Sequence, residues 1–294
     1  MSESSNTGVS PASWSWAPGR LRPGVVWTWL RANIAVALSA VVVLLALGFA
    51  VFPGLFTSRD PLLAVPSEKL SAPSAQHWFG TDNLGRDVYA RFVHGAGLSL
   101  SATIGAVAVA LVIGSVLGVL AGAAGPVADG IIMRAIDVML AVPQILLALA
   151  IVAALGFGTT KVAIAVAVVL IASFARVMRA EVLRVRHAPY VEAARAFGVP
   201  TPVILVRHVL RNSYAPVLAL AAAEFGMAIL LISSLSFLGF GAAPPAPEWG
   251  SLISEGRNYL ATAWWMTTLP GLAIVAVVLA AHTIGHRISA GEDR

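Results

Sequence analysis

Side chains with catalytic chemistry are few in this sequence, and their spacing matches no common catalytic site. Cysteine is absent, which removes thiolate nucleophiles, disulfides and cysteine metal ligands. A phosphate-binding loop needs the pattern G-x-x-x-x-G-K-[ST], but neither Lys69 nor Lys161 follows a glycine. His282 and His286 are four residues apart, with no third ligand evident nearby in the sequence. We therefore predict a chain that is not an enzyme and that binds no metal or cofactor itself.

The polar segment HAPYVEAARAFGVPTP, residues 187–202, has the start and stop signals of one short helix. Pro189 suits the first helical position, and Gly198 suits the position after the end, where a left-handed backbone is easiest. Its alanines permit a close approach, and the Glu192 carboxylate can accept charge-assisted hydrogen bonds from an arginine of a partner. The segment is therefore either a docking helix or a surface helix that only links two larger elements.

Glu224 is an ionisable residue within a strongly apolar stretch. Ionisable residues inside membrane spans are candidates for function. The Glu224 carboxyl could face a transport pathway, or it could hydrogen-bond a neighbouring helix. Arg134 and Asp137 are three residues apart, so we expect them to pair on one face of a helix.

The elements that must position these residues have the pattern of a membrane protein. The sequence is 58% hydrophobic and only 11% charged, whereas a soluble domain has about 25% charged residues. A membrane helix needs about 20 mostly apolar residues. Stretches that meet this requirement are Asn33–Phe52, Leu98–Gly122, Ile131–Leu155, Thr160–Met178, Tyr214–Phe237 and Trp264–Gly285. We predict an all-α membrane protein with six transmembrane helices. Basic runs with interleaved aromatic residues are missing, so nucleic-acid binding is not predicted.

The basic residues predict the orientation of these spans. If both termini are cytoplasmic, the cytoplasmic segments hold 13 of the 19 Lys and Arg residues, in agreement with the positive-inside rule. The predicted organisation is a cytoplasmic tail (1–31), a first transmembrane helix (32–53), an external segment with an interfacial elbow helix (54–97), a five-helix core (98–287) with a cytoplasmic loop at about 179–213, and a cytoplasmic tail (288–294).

Four segments resemble one known family. EAARAFG followed by ILVRHVLRN resembles the EAA loop of ABC importer permeases. HWFGTDNLGRDVYARFVHGAGLSL and DGIIMRAIDVMLAVPQILLALAIVAALG resemble the segment before the second span, and the third span, of C-type permeases in the dipeptide, oligopeptide and nickel group. SLSFLGFGAAPPAPEWGSLI resembles the end of their fifth span and the external loop that follows. The segments occur in the family's order and cover nearly the whole chain.

The resemblance implies a type I ABC importer permease fold and a role as one permease subunit of an ATP-driven importer. With a second, different permease subunit it would form the pathway for di- or oligopeptides delivered by an external binding protein. ATP and Mg²⁺ are expected on two separate ATP-binding subunits or domains. The implied location is the cell membrane, with both termini in the cytoplasm.

The resemblance also assigns roles to individual residues. In this family the short helix of the EAA loop sits in a groove of the ATPase subunit and couples ATP-driven closure to the switch between inward-open and outward-open states. The corresponding ATPase-coupling residues here are Tyr190, Glu192, Ala193, Ala194, Phe197 and Gly198. The external loop is predicted either to be a stiff connector or to contact the binding protein through Pro244, Pro245, Glu248 and Trp249.

Three residues depart from the family pattern: Arg211, Ile232 and Gly97. They leave the substrate open, so importers of nickel chelates or of another small solute stay an alternative. An ion-coupled secondary transporter is an alternative from a different class. Such a transporter usually places several ionisable residues near the membrane midplane, and Glu224 is the clear candidate here.

Overall fold

The computed structural model describes the backbone of residues 23–292 and the side chains of residues 33–285 and 287. Residues 1–22 of the predicted tail (1–31) and the last two residues lie outside this range, and α1 begins within that tail at Pro23. Regular structure in the described range is helical, apart from an isolated bridge between Thr81 and Asp87. In chain order the helices are α1 (Pro23–Val51), α2 (Val88–Ala123), α3 (Pro126–Ala141), α4 (Gln144–Leu155), α5 (Thr159–Arg186), α6 (Pro189–Ala196), α7 (Thr201–Ile204), α8 (Arg211–Phe237), α9 (Trp249–Gly256) and α10 (Trp265–Glu292). Three-residue 3₁₀ helices form at Pro53–Leu55, Pro66–Glu68 and Arg257–Tyr259, and a π-helical stretch, Leu205–Leu210, joins α7 to α8.

Five parts of this fold are long and apolar enough to cross a membrane as single helices, and a bent pair adds a sixth. The five are Asn33–Val51 of α1, α2, α5, the continuous run Thr201–Phe237, and Trp265–Gly285 of α10. The bent pair is α3 and α4, whose axes meet at 97°. The all-helical fold with up to six spans agrees with the prediction.

The third predicted span differs from a straight helix because Pro143 lies in its middle. The ring of a proline disfavours the helical conformation for the residue before it. Val142 accordingly has an extended backbone, with φ −93° and ψ 133°. The chain therefore turns sharply between α3 and α4.

The second span begins ten residues earlier than the predicted Leu98. The Asp87 side chain caps α2 by accepting a hydrogen bond from the Ala90 N–H at 2.8 Å, which satisfies one of the free donors of the first turn. Residues 88–97, which belong to the external segment predicted for 54–97, form the first turns of α2.

Close packing of α2 on α5 forms the centre of the molecule. Gly118 of α2 lies so near α5 that an added Cβ would be 2.6 Å from the Ala175 carbonyl oxygen and 2.7 Å from the Met178 Cβ. The surrounding core is built from buried residues of α2, α4, α5 and α8. Small residues at such crossings allow the two backbones to approach each other in a membrane.

Two ion pairs join α3 to α5 in the half of the fold nearest α6. Arg179 donates to both carboxylate oxygens of Asp129. Arg176 Nη2 donates to Asp137 Oδ1 at 2.8 Å. The predicted pair between Arg134 and Asp137 was wrong, because the Asp137 carboxylate is directed to the neighbouring helix α5 rather than along its own helix.

Candidate functional site

Helix α6 is a single short helix whose two ends are fixed by the residues that the sequence indicated. Pro189 occupies the first turn. Gly198 has φ +76°, a left-handed conformation that costs glycine little. Its N–H donates to the Arg195 carbonyl at 2.9 Å, and the Val199 N–H donates to the Ala194 carbonyl at 3.1 Å. These bonds satisfy free carbonyl groups at the end of the helix, so that α6 stops within the loop.

One face of α6 is buried and the other is open. Val191 is fully buried and belongs to the central hydrophobic core. Phe197 is 87% exposed, although a large aromatic side chain is normally covered. The predicted coupling residues on the open face are Tyr190, Glu192, Ala193, Phe197 and Gly198. Ala194 is half-buried and packs towards the core. Five of the six predicted residues therefore lie on one open turn-and-helix surface, and Ala194 lies on the inner side.

Two features of this loop were missed by the sequence analysis. Val191 anchors α6, and its signal was that it is the only β-branched residue inside the helix. The π-helical stretch after α7 carries no obvious signal in its residues LVRHVL, and such stretches are common at functional positions. Beside them lies a cavity of about 330 Å³ between α2, α5 and the loop, with Arg186 and Arg195 at its lining. Arg186 also donates to the Gly122 carbonyl at 2.7 Å and so ties α5 to the end of α2.

Glu224 lies inside α8 and is largely buried against α5. Its side chain is only 9% exposed, and it meets the Ser173 side chain of α5. Of the two predicted roles for Glu224, this arrangement matches the hydrogen bond to a neighbouring helix. Its role in lining a pathway stays a prediction.

At the end of the fold opposite α6, the Glu248 carboxylate holds the loop between α8 and α9. The side chain is 1% exposed. It accepts hydrogen bonds from the Ser236 hydroxyl at 2.8 Å, from the Ala242 N–H at 2.7 Å and from the Thr159 hydroxyl at 3.3 Å. A buried charge is tolerated when it is well hydrogen-bonded. Glu248 thus joins α8, the external loop and the start of α5.

Trp249 is also buried, as the first residue of α9. Its ring stacks on Phe92 of α2 with centroids 5.0 Å apart, and its Nε1–H donates to the Phe92 carbonyl at 3.0 Å. Glu248 and Trp249 therefore do not fit their predicted role in contacting an external partner, because their side chains are turned into the fold. Pro244 and Pro245 are exposed.

A network of four charges, three of them buried, fixes residues 82–91 onto α9. Asp82 Oδ2 accepts from Arg86 Nε at 2.7 Å and from Arg91 Nη1 at 2.9 Å. Glu255 accepts from Arg86 Nη2 at 2.9 Å and from Arg91 Nη2 at 3.0 Å. Each arginine therefore bridges two carboxylates, which pairs all four charges. Among the described side chains, no group of three or more His, Asp and Glu residues is arranged to hold a metal ion.

Comparison with known proteins identifies the family. Residues 114–289 match the family described as "Binding-protein-dependent transport system inner membrane component". The dipeptide transport system permease protein DppC of Alkalihalophilus pseudofirmus is 41% identical over 256 residues, which cover 87% of this chain and 84% of the relative. The chain belongs to this family.

Other inner membrane components of this kind agree in sequence and in fold. The glutathione transport system permease protein GsiD of Pectobacterium atrosepticum is 40% identical over 257 residues, covering 87% of this chain and 85% of the relative. The inward-facing structure of the MetNI methionine ABC transporter matches with a TM-score of 0.58 over 69% of this chain and 97% of that chain, at 18% identity. The predicted ABC importer permease fold is confirmed.

The family match and the described site overlap. The matched residues begin within α2 and extend into α10, so they include the whole of α6 and the external loop held by Glu248. The chain is thus an integral membrane permease component of an ABC transporter. The outer face of α6 is exposed in the polar loop between α5 and α8.

Proposed function

We propose that this chain is the permease subunit of an importer for short peptides, and that α6 is its coupling helix. The observation that carries the coupling role is the combination of a buried anchor, Val191, with an open outer face on a helix held at both ends. A rigid helix can transmit a displacement only if it is fixed to the body of the protein. The core contact of Val191 supplies that attachment, and the exposed Phe197 and Glu192 supply the contact surface for an ATPase subunit.

The peptide substrate is supported by the names of the relatives. The compared proteins transport dipeptides and glutathione, which both carry free amino and carboxyl groups on a short backbone. We propose the same chemical class here. A co-purifying binding protein that binds nickel chelates or another small solute, rather than peptides, would indicate that alternative substrate.

An importer of this kind also needs partner proteins, which supply functions that this chain lacks. ATP and Mg²⁺ would be held by two ATP-binding subunits or domains on the cytoplasmic side, while this chain binds neither. A second, different permease subunit would complete the pathway, and an external binding protein would deliver the peptide. Pro244 and Pro245 are proposed to contact that binding protein, since they lie exposed on a loop fixed from beneath by Glu248.

Affinity purification with a variant of Glu192 tests the coupling role. The chain is isolated from native membranes in mild detergent, and co-purifying proteins are quantified by mass spectrometry. We expect an ATPase subunit, a second permease and a peptide-binding protein with the wild-type chain. Glu192→Lys should lower the recovered ATPase about tenfold, because loss of a charge-assisted contact weakens binding by roughly 1.4 kcal/mol or more, while the second permease is retained.

A charge change on the other side of the fold provides the control. Asp60 is exposed in the external segment, so Asp60→Lys should leave ATPase recovery unchanged. Equal ATPase recovery with wild type and Glu192→Lys would contradict the coupling role. A wild-type chain that is always isolated alone would contradict the importer assembly itself.

A further inference from the structure

A charged surface, which we call the charged face, is formed by Arg134 and Asp137 of α3 and Arg176 of α5. Arg176 Nη2 and Asp137 Oδ1 are 2.8 Å apart, and the two side chains are 55% and 64% exposed. Arg134 is also exposed and lies one helical turn from Asp137. The three charged side chains are therefore exposed on the surface of this chain.

The charged face lies deep enough to belong to the membrane-spanning part. Arg176 is 17 residues beyond Thr159, the first residue of α5, which corresponds to about 26 Å along the helix. The hydrocarbon layer of a membrane is about 30 Å thick. The Arg179–Asp129 pair lies nearer the cytoplasmic end of α5. With Thr159 placed at the outer edge of the hydrocarbon layer, Arg176 and its partner Asp137 lie in the inner part of that layer.

Polar groups continue from the charged face towards the middle of the membrane. Ser173 is one helical turn before Arg176 on α5, and it meets the largely buried Glu224 of α8. Glu224 is 13 residues from Phe237, the external end of α8, so both helices place this contact about 20 Å below their external ends. Polar side chains thus occur at successive depths of α8 and α5, at Glu224, Ser173 and Arg176.

Contact with lipid tails does not explain this arrangement. A charged side chain at this depth costs several kcal/mol when it faces hydrocarbon. An arginine can extend its guanidinium to the interface, but Asp137 has a short side chain, and its carboxylate holds Arg176 in place. An open ion pair at this position requires either water or protein opposite it.

We propose that the charged face lines the cytoplasmic half of the transport pathway and meets the charged termini of the peptide. This inference rests on the proposed peptide substrate. Asp137 would attract the ammonium group of a short peptide, and Arg176 would attract its carboxylate. With no peptide present the two residues neutralise each other, so that neither charge is left unpaired when the pathway is empty.

The absence of cysteine from the sequence allows a direct test of exposure. Asp137→Cys and Arg176→Cys are introduced singly into the assembled importer. Each is treated from the cytoplasmic side with a charged, membrane-impermeant thiol reagent, either without nucleotide or after trapping with ATP and vanadate. We expect rapid labelling without nucleotide and about tenfold slower labelling in the trapped state, since trapping shifts the population away from the inward-open state.

Two positions calibrate this measurement. Leu38→Cys replaces an exposed apolar residue of α1 and should react in neither state. Arg287→Cys, exposed near the cytoplasmic end of α10, should react equally in both. Labelling of the charged-face cysteines that is independent of nucleotide would show an interfacial position, and absence of labelling in both states would show burial against the second permease subunit. Either result would overturn the proposal.

Transport by charge-neutral variants tests the contact with the peptide. With saturating peptide-loaded binding protein, Asp137→Asn and Arg176→Gln should lower peptide uptake per ATP hydrolysed about tenfold, which corresponds to 1.4 kcal/mol. Arg184→Gln is the matched control, because Arg184 forms an exposed ion pair with Glu181 on the same helix but outside the charged face. An equal effect of all three variants would indicate a structural role. If the wild-type importer moves no peptide at all, the substrate assignment fails, while the labelling result still decides whether the charged face lines the pathway.

Discussion

At the scale of single residues, Glu248 determines the conformation of the external loop. Its carboxylate receives three hydrogen bonds, from Ser236, Ala242 and Thr159, at a position that is almost fully buried. These donors come from α8, the loop and α5, so that one side chain fixes three segments. Removal of the carboxylate would leave the Ala242 N–H without an acceptor at a buried position, which costs more than loss of the bond alone.

We therefore expect Glu248→Gln to destabilise the chain by about 1–3 kcal/mol, because the charge-assisted hydrogen bonds are lost and a hydroxyl must reverse to accept from the amide NH₂ group. The readout is the midpoint of thermal unfolding of the purified protein in detergent. Ala243→Ser, at an exposed position of the same loop, should leave the midpoint nearly unchanged. Identical midpoints for Glu248→Gln and wild type would show that the buried network contributes little.

The same residue shows why part of the site could not be predicted from the sequence. In α6 the informative signals are local: Pro189, Gly198 and the residues between them specify a helix and its ends within ten positions. The partners of Glu248 include Thr159, which is 89 residues away in the chain. Sequence spacing does not reveal such a contact, so a polar residue in an external loop was expected to face outwards although it turns inwards.

At the scale of elements, the crossing of α2 and α5 depends on a few glycines. At Gly118 a Cβ would clash with the Ala175 carbonyl and with Met178, whereas at Gly105 of the same helix no atom lies within 4 Å of the added Cβ. The two positions share a helix and a residue type, and differ in the space around them. They form a matched pair for measuring the importance of this crossing.

Gly118→Ala should destabilise the chain by about 1–3 kcal/mol, because α2 and α5 must move apart to admit the methyl group. Gly105→Ala should be neutral or slightly stabilising, since alanine is the better helix former. Unfolding of the two variants in detergent, followed by circular dichroism, makes the comparison. If both variants behave alike, helix propensity rather than close packing governs this part of α2.

The bend between α3 and α4 shows which features of an element the hydropathy pattern predicts and which it does not. Hydropathy identified Ile131–Leu155 as a membrane segment, and α3 with α4 does pass that test as a pair. Pro143 accounts for the break that this prediction lacked, because proline disfavours a helical residue before it. The angle of 97° depends on how α3 packs on α5 through Ile136 and Ala172, which are contacts between separate elements that the sequence does not specify.

At the scale of the whole molecule, the distribution of charge and the direction of the helices make one consistent arrangement. Gly114, Gly118 and Gly122 of α2 contact successive turns of α5 in the same order along both helices. The two helices therefore run parallel. The end of α5 continues directly to α6 and to the cluster of arginines in this loop. The positive-inside rule then predicts that α6 is cytoplasmic and that the loop held by Glu248 is external.

Single cysteines in the natural cysteine-free background test this orientation. Pro245→Cys, in the exposed external loop, should react with a membrane-impermeant maleimide in intact cells. Arg184→Cys, at the exposed end of α5, should react only after the membrane is permeabilised. Both reactions are read as a mass shift of the purified chain, and the unmodified chain gives the background because it has no thiol. The reverse pattern would place α6 outside the cell, where no ATP-driven subunit could reach it, and the coupling role would be lost together with the orientation.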